Sequence, residues 1–356
     1  MVMNYIKGRG AQHNTHNRFL QHQQEVLDDF LNYCKAENEA ADTNKTTYLE
    51  IYPKTIVNKV TSPDIGFTYS MNPYQGCEHG CIYCYARNSH EYWGYSAGLD
   101  FERKILYKAN APELLEQKLR SRNWEPQNIM FSGNTDCYQP IEKKLKITRK
   151  MLEVLLKLKH PVSIITKNSL ILRDLDILKE MASMNLVRVS ISITSLSEET
   201  RKVVEPRTAT IKKRLETVQI LSENGIPVNV MMAPIIPSIN NHEILPLVKK
   251  VSELGAKSVG YTIVRLNGAI GEIFTEWVRK TYPDRAEKIL NQIKECHDGT
   301  LNESRYGVRM AGKGKIAEQV EQQFALAKKL YLKNKDYPPL DFSKFDKHQS
   351  NQMTLF

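Results

Sequence analysis

Three of the six cysteines lie within eight residues of one another, and their spacing is suited to redox chemistry. Cys77, Cys81 and Cys84 form a Cys-x3-Cys-x2-Cys pattern directly after a predicted strand. Three thiolates on one short loop can hold three corners of a cubane [4Fe–4S] cluster. The fourth iron then keeps an open coordination position, which is where a substrate or cosubstrate binds. The spacing therefore predicts a cluster whose unique iron takes part in a reaction.

A zinc ion is the alternative occupant of this loop, with His79 or His90 as the fourth ligand. Zinc sites favour paired Cys-x2-Cys spacings. The other three cysteines, Cys34, Cys137 and Cys296, stand alone, so the sequence contains no second pair. The pattern therefore favours the cluster over zinc.

The elements that must position this loop begin at residue 67, where short apolar runs start to alternate with amphipathic helical patterns. Six β–α repeats predict a parallel sheet with right-handed crossovers, two units short of a closed eight-fold barrel. The predicted fold class is therefore α/β, a partial (β/α)6 TIM-like barrel, with the loop at the C-terminal end of the strands, where such barrels carry their chemistry. The predicted strands are 67–71, 129–132, 162–166, 187–193, 228–233 and 258–263, and the predicted helices are 111–122, 145–159, 169–184, 211–224 and 243–254.

The chain divides into four predicted regions on its hydrophobic patterning and polar composition. They are an N-terminal extension (1–66), the barrel core (67–271), a C-terminal helical region (272–335) and a flexible polar tail (336–356).

Charge and hydropathy narrow the function classes. The 356 residues carry 50 Lys or Arg and 40 Asp or Glu, a net charge of +10, which suits a nucleic-acid partner without requiring one. Residues 143–159 contain seven Lys or Arg and one Glu, so this helix could lie along a phosphate backbone, although a solvated helix face is the alternative. No apolar run approaches the roughly 18 residues needed to cross a bilayer, so no membrane segment is expected. The isolated cysteines and the lack of a secretory signal indicate a reducing, cytoplasmic compartment.

The cysteine loop resembles that of the radical S-adenosylmethionine (SAM) enzymes, and Tyr83-Cys84-Tyr85 resembles its spore photoproduct lyase branch. Residues 5–310 are similar to a bacterial group related to that branch and often labelled DNA-repair-photolyase-like. The segments that carry this similarity are the cysteine loop, Gly8-Arg-Gly-Ala-Gln, Asn17-Arg-Phe, Asn134-Thr-Asp-Cys-Tyr-Gln-Pro and Glu205-Pro-Arg-Thr.

The resemblance implies a reaction and its cofactors. The open iron would chelate the amino and carboxylate groups of SAM, and an electron from the reduced cluster would cleave SAM to a 5′-deoxyadenosyl radical that abstracts hydrogen. A one-electron reductant of the flavodoxin or ferredoxin class would be the electron donor. The implied substrate is a nucleic-acid lesion, as for a DNA-repair lyase. The alternatives are a radical SAM enzyme acting on a small molecule, peptide or tRNA, and a non-catalytic iron–sulfur sensor of redox state or iron.

The resemblance also implies catalytic residues around the cosubstrate. Tyr83 would contact the adenine of SAM, and Tyr83 and Tyr85 would relay a hydrogen atom, although Tyr85 packing without a catalytic role is the alternative. Cys137 would donate hydrogen to the product radical, and a buried inert thiol is its alternative.

Further residues at predicted strand ends would bind SAM. A polar segment after the second strand would bind the amino group, although a turn followed by a helix N-cap is the alternative. The lysine that ends the third strand would pair with the carboxylate, the alternating serines of the fourth strand would face a polar ligand, and the methionine of the fifth strand would line the pocket. An arginine after the fourth strand would touch SAM or a phosphate, or lie solvated in a loop. These cofactor-binding candidates are Ser132, Gly133, Asn134, Thr135, Asp136, Lys167, Ser190, Ser192, Met231 and Arg207, together with Tyr83.

The chain ends in Gln352-Met-Thr-Leu-Phe356. This pentapeptide resembles the short segment by which bacterial repair and replication proteins bind the DNA sliding clamp. Leu355 and Phe356 would fill an apolar pocket at the end of a polar tail. The clamp is therefore a candidate partner.

Overall fold

The computed structural model describes residues 6–20 and 45–349. A seven-stranded sheet in the order β10-β9-β8-β7-β6-β3-β2 dominates the fold, and a three-stranded sheet in the order β1-β5-β4 lies beside it. The strands are β1 (Thr47–Ile51), β2 (Val57–Lys59), β3 (Tyr69–Met71), β4 (Tyr74–Gln75), β5 (Lys104–Lys108), β6 (Ile129–Phe131), β7 (Val162–Thr166), β8 (Val187–Ser192), β9 (Val228–Ile235) and β10 (Ser258–Ile263).

The six predicted repeats form one parallel sheet. Strands β3, β6, β7, β8, β9 and β10 pair in parallel with their neighbours, and β2 adds an antiparallel edge to β3. Within the described residues β2 and β10 do not pair, so the sheet curls without closing. The predicted partial (β/α)6 TIM-like fold is confirmed.

Helices cover the outside of this sheet. The predicted barrel helices form with ends shifted by at most three residues, except that residues 169–184 divide into a 3₁₀ turn, Ser169–Asp174, and an α-helix. The α-helices are α1 (Leu99–Arg103), α2 (Ala111–Leu119), α3 (Glu142–Leu145), α4 (Ile147–Lys157), α5 (Leu175–Ser183), α6 (Glu198–Val204), α7 (Ile211–Glu223), α8 (Ile244–Glu253), α9 (Ile270–Thr281), α10 (Ala286–Glu295) and α11 (Gly314–Tyr331).

Two features of the described chain differ from the predicted regions. Strands β4 and β5 of the three-stranded sheet were not predicted, because Lys104–Lys108 follows α1 without a turn and shows no long alternation. Helix α9 begins at Ile270, so the predicted boundary after residue 271 falls inside a continuous helix.

The described part of the predicted flexible tail is bound to the barrel. The backbone N–H groups of Asp341 and Asp346 donate to the carbonyls of Asn185 and Leu158, at 2.9 and 3.0 Å. The ring of Phe345 meets His160 edge to face, with 5.1 Å between ring centroids. Backbone hydrogen bonds and an aromatic contact therefore join residues 336–349 to the barrel. Residues 352–356 and Cys34 lie outside the described residues.

The core lies between the barrel strands and their helices. Its buried residues include Ile164, Val189, Val230 and Leu152. Among the described residues, no helix is long and apolar enough to cross a membrane.

Candidate functional site

The cysteine loop follows β3 and β4 at the C-terminal end of the parallel sheet. Cys77 and Cys81 are buried and Cys84 is half-buried, and none of them forms a disulfide within the described chain. Burial raises the pKa of the Cys77 thiol, and the charges of Asp136, Cys81 and Cys84 raise it further. Iron bound to Cys77 would offset the cost of ionising its thiol.

The loop around the thiols has the compact backbone that a bound cluster would need. Gly76 and Gly80 adopt positive φ angles of 79° and 66°. A Cβ on Gly76 would lie 2.8 Å from the carbonyl oxygen of Lys104, and one on Gly80 would lie 2.8 Å from Glu102 Oε2. The backbone N–H of Asp136 also hydrogen bonds to Cys77, which favours its thiolate form. Three cysteines on one compact loop offer the donor set that a [4Fe–4S] cluster takes.

The two histidines of the zinc alternative have other contacts. His79 Nδ1 lies 3.4 Å from Asp136 Oδ2. His90 packs against Tyr95 and Phe101, with ring centroids 5.2 and 5.6 Å apart, and burial lowers its pKa to about 4. Within residues 6–20 and 45–349, no three His, Cys, Asp or Glu are grouped to hold a metal ion, and this includes the three cysteines of the loop. The choice between cluster and zinc therefore rests on the cysteine spacing.

Asp136 links the end of β6 to the end of β7. Its carboxylate accepts hydrogen bonds from Thr166 Oγ1 at 2.7 Å, the Lys167 N–H at 2.8 Å and the Tyr138 N–H at 2.9 Å. Burial alone would raise the pKa of Asp136, but His79 and these hydrogen bonds lower it to about 2. The carboxylate is therefore ionised and already bound by internal donors, so it acts here as a brace between two strands.

The rest of the predicted amino-binding segment divides into buried and accessible residues. Ser132, with φ of 74°, accepts the Cys137 N–H at 2.7 Å, and Thr135 Oγ1 donates to the Tyr74 carbonyl at 2.7 Å. These are the contacts of the turn that was the alternative interpretation. Gly133 and Asn134 are half-buried and present a carbonyl and a side-chain amide at the strand end.

A group of charged residues lies near Cys81. The Tyr83 hydroxyl donates to the buried carboxylate of Glu205, which also lies 2.7 Å from Arg214 Nη1. Burial alone would raise the pKa of Glu205, but Arg214 and Lys167 lower it. Arg214 was not predicted from the sequence, since a single arginine on a helix face has no spacing that marks it.

Lys167 lies over Tyr83 at the end of β7, with Nζ 5.9 Å from the ring centroid. Burial alone would lower the pKa of Lys167, but the negative charges of Cys81 and Glu205 raise it above its ordinary value. Its ammonium group makes no hydrogen bond to any other described residue. The structure thus brings a cationic group beside the cysteine loop with its donors available.

The remaining predicted cofactor residues lie in two places. Ser190 Oγ accepts from Asn229 Nδ2 at 3.1 Å, and the Met231 sulfur packs so closely on Gly260 that a Cβ there would lie 2.7 Å away. Ser190 on β8 therefore contacts β9, and Met231 on β9 contacts β10. Asn229 was not predicted, although its position on alternating strand β9 would have placed it on this face. Ser192, two residues beyond Ser190, is buried.

Arg207 also lies at the cysteine loop, although it follows helix α6 and not a strand. Its backbone N–H donates to the His79 carbonyl at 3.2 Å, and its Nη2 lies 3.4 Å from Glu78 Oε1. Its side chain is 33% exposed, so the guanidinium is half solvated and half paired with the loop.

The two remaining catalytic candidates differ sharply in exposure. Tyr85 is 55% exposed and its hydroxyl donates to the Gly133 carbonyl. Cys137 is fully buried in the main core, and burial raises the pKa of its thiol. The Thr148 hydroxyl donates to the Cys137 carbonyl at 2.6 Å. Tyr85 is therefore open to a ligand, whereas Cys137 lies among packed side chains.

Comparisons with known proteins identify the superfamily and the fold of this chain. A family model described as the Radical SAM superfamily matches residues 71–251. An uncharacterized protein of Mycobacterium tuberculosis is 30% identical over 241 residues, which are 67% of this chain and 71% of that protein. An uncharacterized protein of Methanocaldococcus jannaschii is 30% identical over 262 residues, covering 73% and 93% of the two chains. The solved structure of spore photoproduct lyase complexed with dinucleoside spore photoproduct has a TM-score of 0.59 at 16% identity, over 81% of this chain and 80% of that one, a similarity of fold.

Proposed function

Because this chain belongs to the radical SAM superfamily, we propose that Cys77, Cys81 and Cys84 hold a [4Fe–4S] cluster and that SAM is the cosubstrate. The reduced cluster would supply the electron that cleaves SAM to a 5′-deoxyadenosyl radical, which abstracts hydrogen from a substrate. One observation carries the proposal: three neighbouring thiols lie on a compact loop at the C-terminal end of the parallel sheet. Lys167, whose ammonium has no hydrogen-bond partner in the described chain, adds a cation beside them.

The protein's own groups would bind and orient SAM. Lys167 suits the SAM carboxylate as a charged donor, and the carbonyl of Gly133 and the amide oxygen of Asn134 suit the SAM amino group as acceptors. Tyr83 would present its ring to the adenine, because its hydroxyl is held by Glu205. Tyr85 would stand between the site and solvent. The solved spore photoproduct lyases include one with bound AdoMet, and we extend that ligand to this chain as part of the proposal.

The primary test is anaerobic reconstitution with iron and sulfide, followed by reduction and assay of 5′-deoxyadenosine from SAM. We expect about four irons per chain and 5′-deoxyadenosine formation in the wild type. Cys81→Ala should lose both, whereas Cys296→Ala, which removes a buried cysteine far along the chain, should keep both. Zinc in place of iron, or iron without SAM cleavage, would contradict the enzyme. Iron without cleavage is the result that a non-catalytic redox or iron sensor would give.

We propose a nucleic-acid lesion as the substrate class. The net charge of +10 supports it, as do four exposed lysines at and near the start of α4. This helix follows β6, so its first residues lie at the same end of the sheet as the cysteine loop. The exposed lysines are Lys143, Lys144, Lys146 and Lys150. A small molecule, a peptide or tRNA is the alternative substrate.

Salt-dependent DNA binding distinguishes these substrates. If the exposed lysines contact phosphates, Lys143→Ala with Lys144→Ala should weaken DNA binding and reduce the slope of log affinity against log salt by about 2. The matched control is Lys249→Ala with Lys250→Ala on α8, which are also exposed. Equal effects of the two pairs, or no binding at all, would favour the alternative substrates. Deuterated candidate substrates would then show which one transfers its label to 5′-deoxyadenosine.

Two partners complete the proposal. A flavodoxin or ferredoxin in a reducing cytoplasm would deliver the electron. The sliding clamp would bind the pentapeptide 352–356, a proposal that rests on the sequence alone. Deleting these five residues should abolish capture by immobilised clamp and leave SAM cleavage unchanged, and retained capture would exclude this segment.

A further inference from the structure

The N-terminal strap, which we define as residues 6–17, crosses directly over the cysteine loop. Gly10 approaches Gly80 so closely that a Cβ on Gly10 would lie 1.9 Å from the Gly80 carbonyl oxygen and 3.2 Å from Arg87 Nη2. Gly80 lies between His79 and Cys81, in the middle of the loop. Only glycine therefore allows the strap to lie where it does.

Glu102 holds the strap by hydrogen bonds to its backbone. Its fully buried carboxylate accepts the Gly10 N–H at 3.1 Å and the Ala11 N–H at 2.8 Å. The same carboxylate pairs with the fully buried Arg87 at 2.6 Å. A buried carboxylate bound to two backbone donors and one guanidinium is well compensated, and loss of any partner leaves a costly buried charge.

Arg87 connects Glu102 to the cysteine loop. Its Nε and Nη2 donate to the Cys81 carbonyl at 3.1 and 3.0 Å. Its Nη1 donates to the carbonyls of Ala97 and Gly98 at 3.2 and 3.1 Å. One guanidinium thus fixes the backbone of a thiol-bearing residue to the carboxylate that holds the strap.

The strap has further anchors along its length. The Leu99 N–H donates to the His13 carbonyl at 3.1 Å, and a Cβ on Gly98 would lie 2.1 Å from that oxygen. Asn17 Nδ2 donates to the carbonyls of Glu91 and Tyr95 at 2.9 and 3.1 Å. The strap is therefore bound on both sides of Gly10.

From these contacts we propose that the N-terminal strap positions the cysteine loop, with Gly10, Glu102 and Arg87 as positioning residues. The strap lies outside residues 71–251, the part that the family model matches. The inference rests on the proposed function, because the loop it holds is the proposed cluster loop. A displaced strap would leave the barrel folded but let the Cys81 backbone move, which would weaken the hold of three thiols on one cluster.

The test compares Gly10→Ala with Gly66→Ala. Gly66 is a matched control, because nothing lies within 4 Å of where its Cβ would be. Two rates are measured in the full-length chain. The first is iron release from the reconstituted protein to a ferrous chelator, which should rise about tenfold in Gly10→Ala. The second is alkylation of the loop thiols in the reduced, iron-free protein, read by mass spectrometry, which should also rise. Cys296, buried elsewhere, serves as the internal reference and should keep its wild-type rate.

The outcomes separate the inference from the proposed function. Failure of the wild type to assemble a cluster would overturn the proposed function, and the alkylation rates would then decide the inference alone. A wild-type rate in either measurement of an assembled Gly10→Ala protein would overturn the inference, as would faster alkylation of Cys296 together with the loop. If Gly10→Ala does not fold, Glu102→Gln decides by the same two rates, because it keeps the side-chain shape and removes the charge that holds Arg87.

Discussion

Lys167 shows at the scale of one residue how the fold creates a site for a ligand. It follows β7, its ammonium lies above Tyr83, and the nearby charges of Cys81 and Glu205 raise its pKa. The protein retains a half-buried cation with unused donors. The folded protein therefore favours the charged form of this lysine, and a bound carboxylate would complete its hydrogen bonds.

Lys167→Met should therefore weaken SAM binding and leave the cluster in place. We expect the SAM concentration needed for half-maximal cleavage to rise by about tenfold, the loss of one charge-assisted hydrogen bond. Iron content should match the wild type. Lys179→Met on α5, an exposed lysine, is the control. An unchanged SAM dependence would show that Lys167 serves only the internal charge balance with Glu205.

Cys137 presents the opposite case, a candidate catalytic residue that is sealed in the core. If its thiol donates hydrogen to a product radical, Cys137→Ala should change the product distribution without changing iron content. Cys296→Ala, another buried cysteine, should change neither. Loss of the cluster in Cys137→Ala would instead identify a structural role. Unchanged products would identify an inert thiol.

The site residues that could be predicted were those marked by a short sequence motif or by a position at the end of a strand. The three cysteines and Lys167 could be placed from the sequence, because each follows a strand and such positions meet at one end of a parallel sheet. Glu102 and Arg87 could not be placed in this way. The bond from the Gly10 N–H to Glu102 spans 92 residues of chain, and no periodicity relates its ends. The structure alone identifies these contacts.

The elements themselves followed their sequence patterns closely where the pattern was long. Helix α7 ends one residue before the predicted position, where Gly225 adopts φ of 74° and the N–H of Ile226 bonds back to the Leu221 carbonyl. Short elements such as β5 were not predicted from the sequence. In the described part of the predicted tail, the polar composition and Pro338-Pro339 gave no sign of the contact between Phe345 and His160, because that contact depends on tertiary packing.

His160 connects three elements at the start of β7. Its Nε2 accepts from Trp124 Nε1 at 3.1 Å, and its Nδ1 lies 2.8 Å from the Pro161 carbonyl. These partners suit a neutral ring with its proton on Nδ1. Burial lowers the pKa of His160 from 6.5 to about 4.

Acid should therefore destabilise the fold through this histidine. Between about pH 6.5 and 4, His160 is protonated in the unfolded chain but stays neutral in the folded chain. Its contribution to the free energy of unfolding is therefore complete above pH 6.5 and is lost as the pH falls through this range. The pKa change corresponds to roughly 3 kcal/mol of unfolding free energy. His160→Gln should reduce the difference between urea unfolding at pH 7.5 and pH 5. The difference should not vanish, because burial also lowers the pKa values of His90 and His297.

His242→Gln is the control for this measurement, since its side chain is 71% exposed. The same pH dependence in His160→Gln and the wild type would contradict the assignment to His160.

At the scale of the whole molecule, the barrel sheet is open between its two edge strands, because β2 and β10 do not pair within the described residues. The segments beyond these strands meet instead. Arg309 Nε and Nη2 donate to the two carboxylate oxygens of Asp64 at 2.7 and 2.6 Å. The neighbouring Met310 carbonyl accepts the Ile263 N–H at the end of β10, and Asp64 lies between β2 and β3. A two-point ion pair therefore joins the two edges of the partial barrel.

Asp64→Asn should loosen this edge without unfolding the sheet. An amide keeps the shape but offers one acceptor in place of two charged oxygens, so the paired geometry is lost. Amide hydrogen exchange should become faster in residues 60–66 and 305–312 and stay unchanged in β7 and β8, because those strands are paired on both sides. Asp298→Asn is the control, since it breaks an exposed ion pair with Arg305 in the same segment. Exposed pairs contribute little to stability, so this control should leave exchange near the wild-type rate. Equal exchange in the two variants would mean that packing alone, and not the ion pair, holds the edges together.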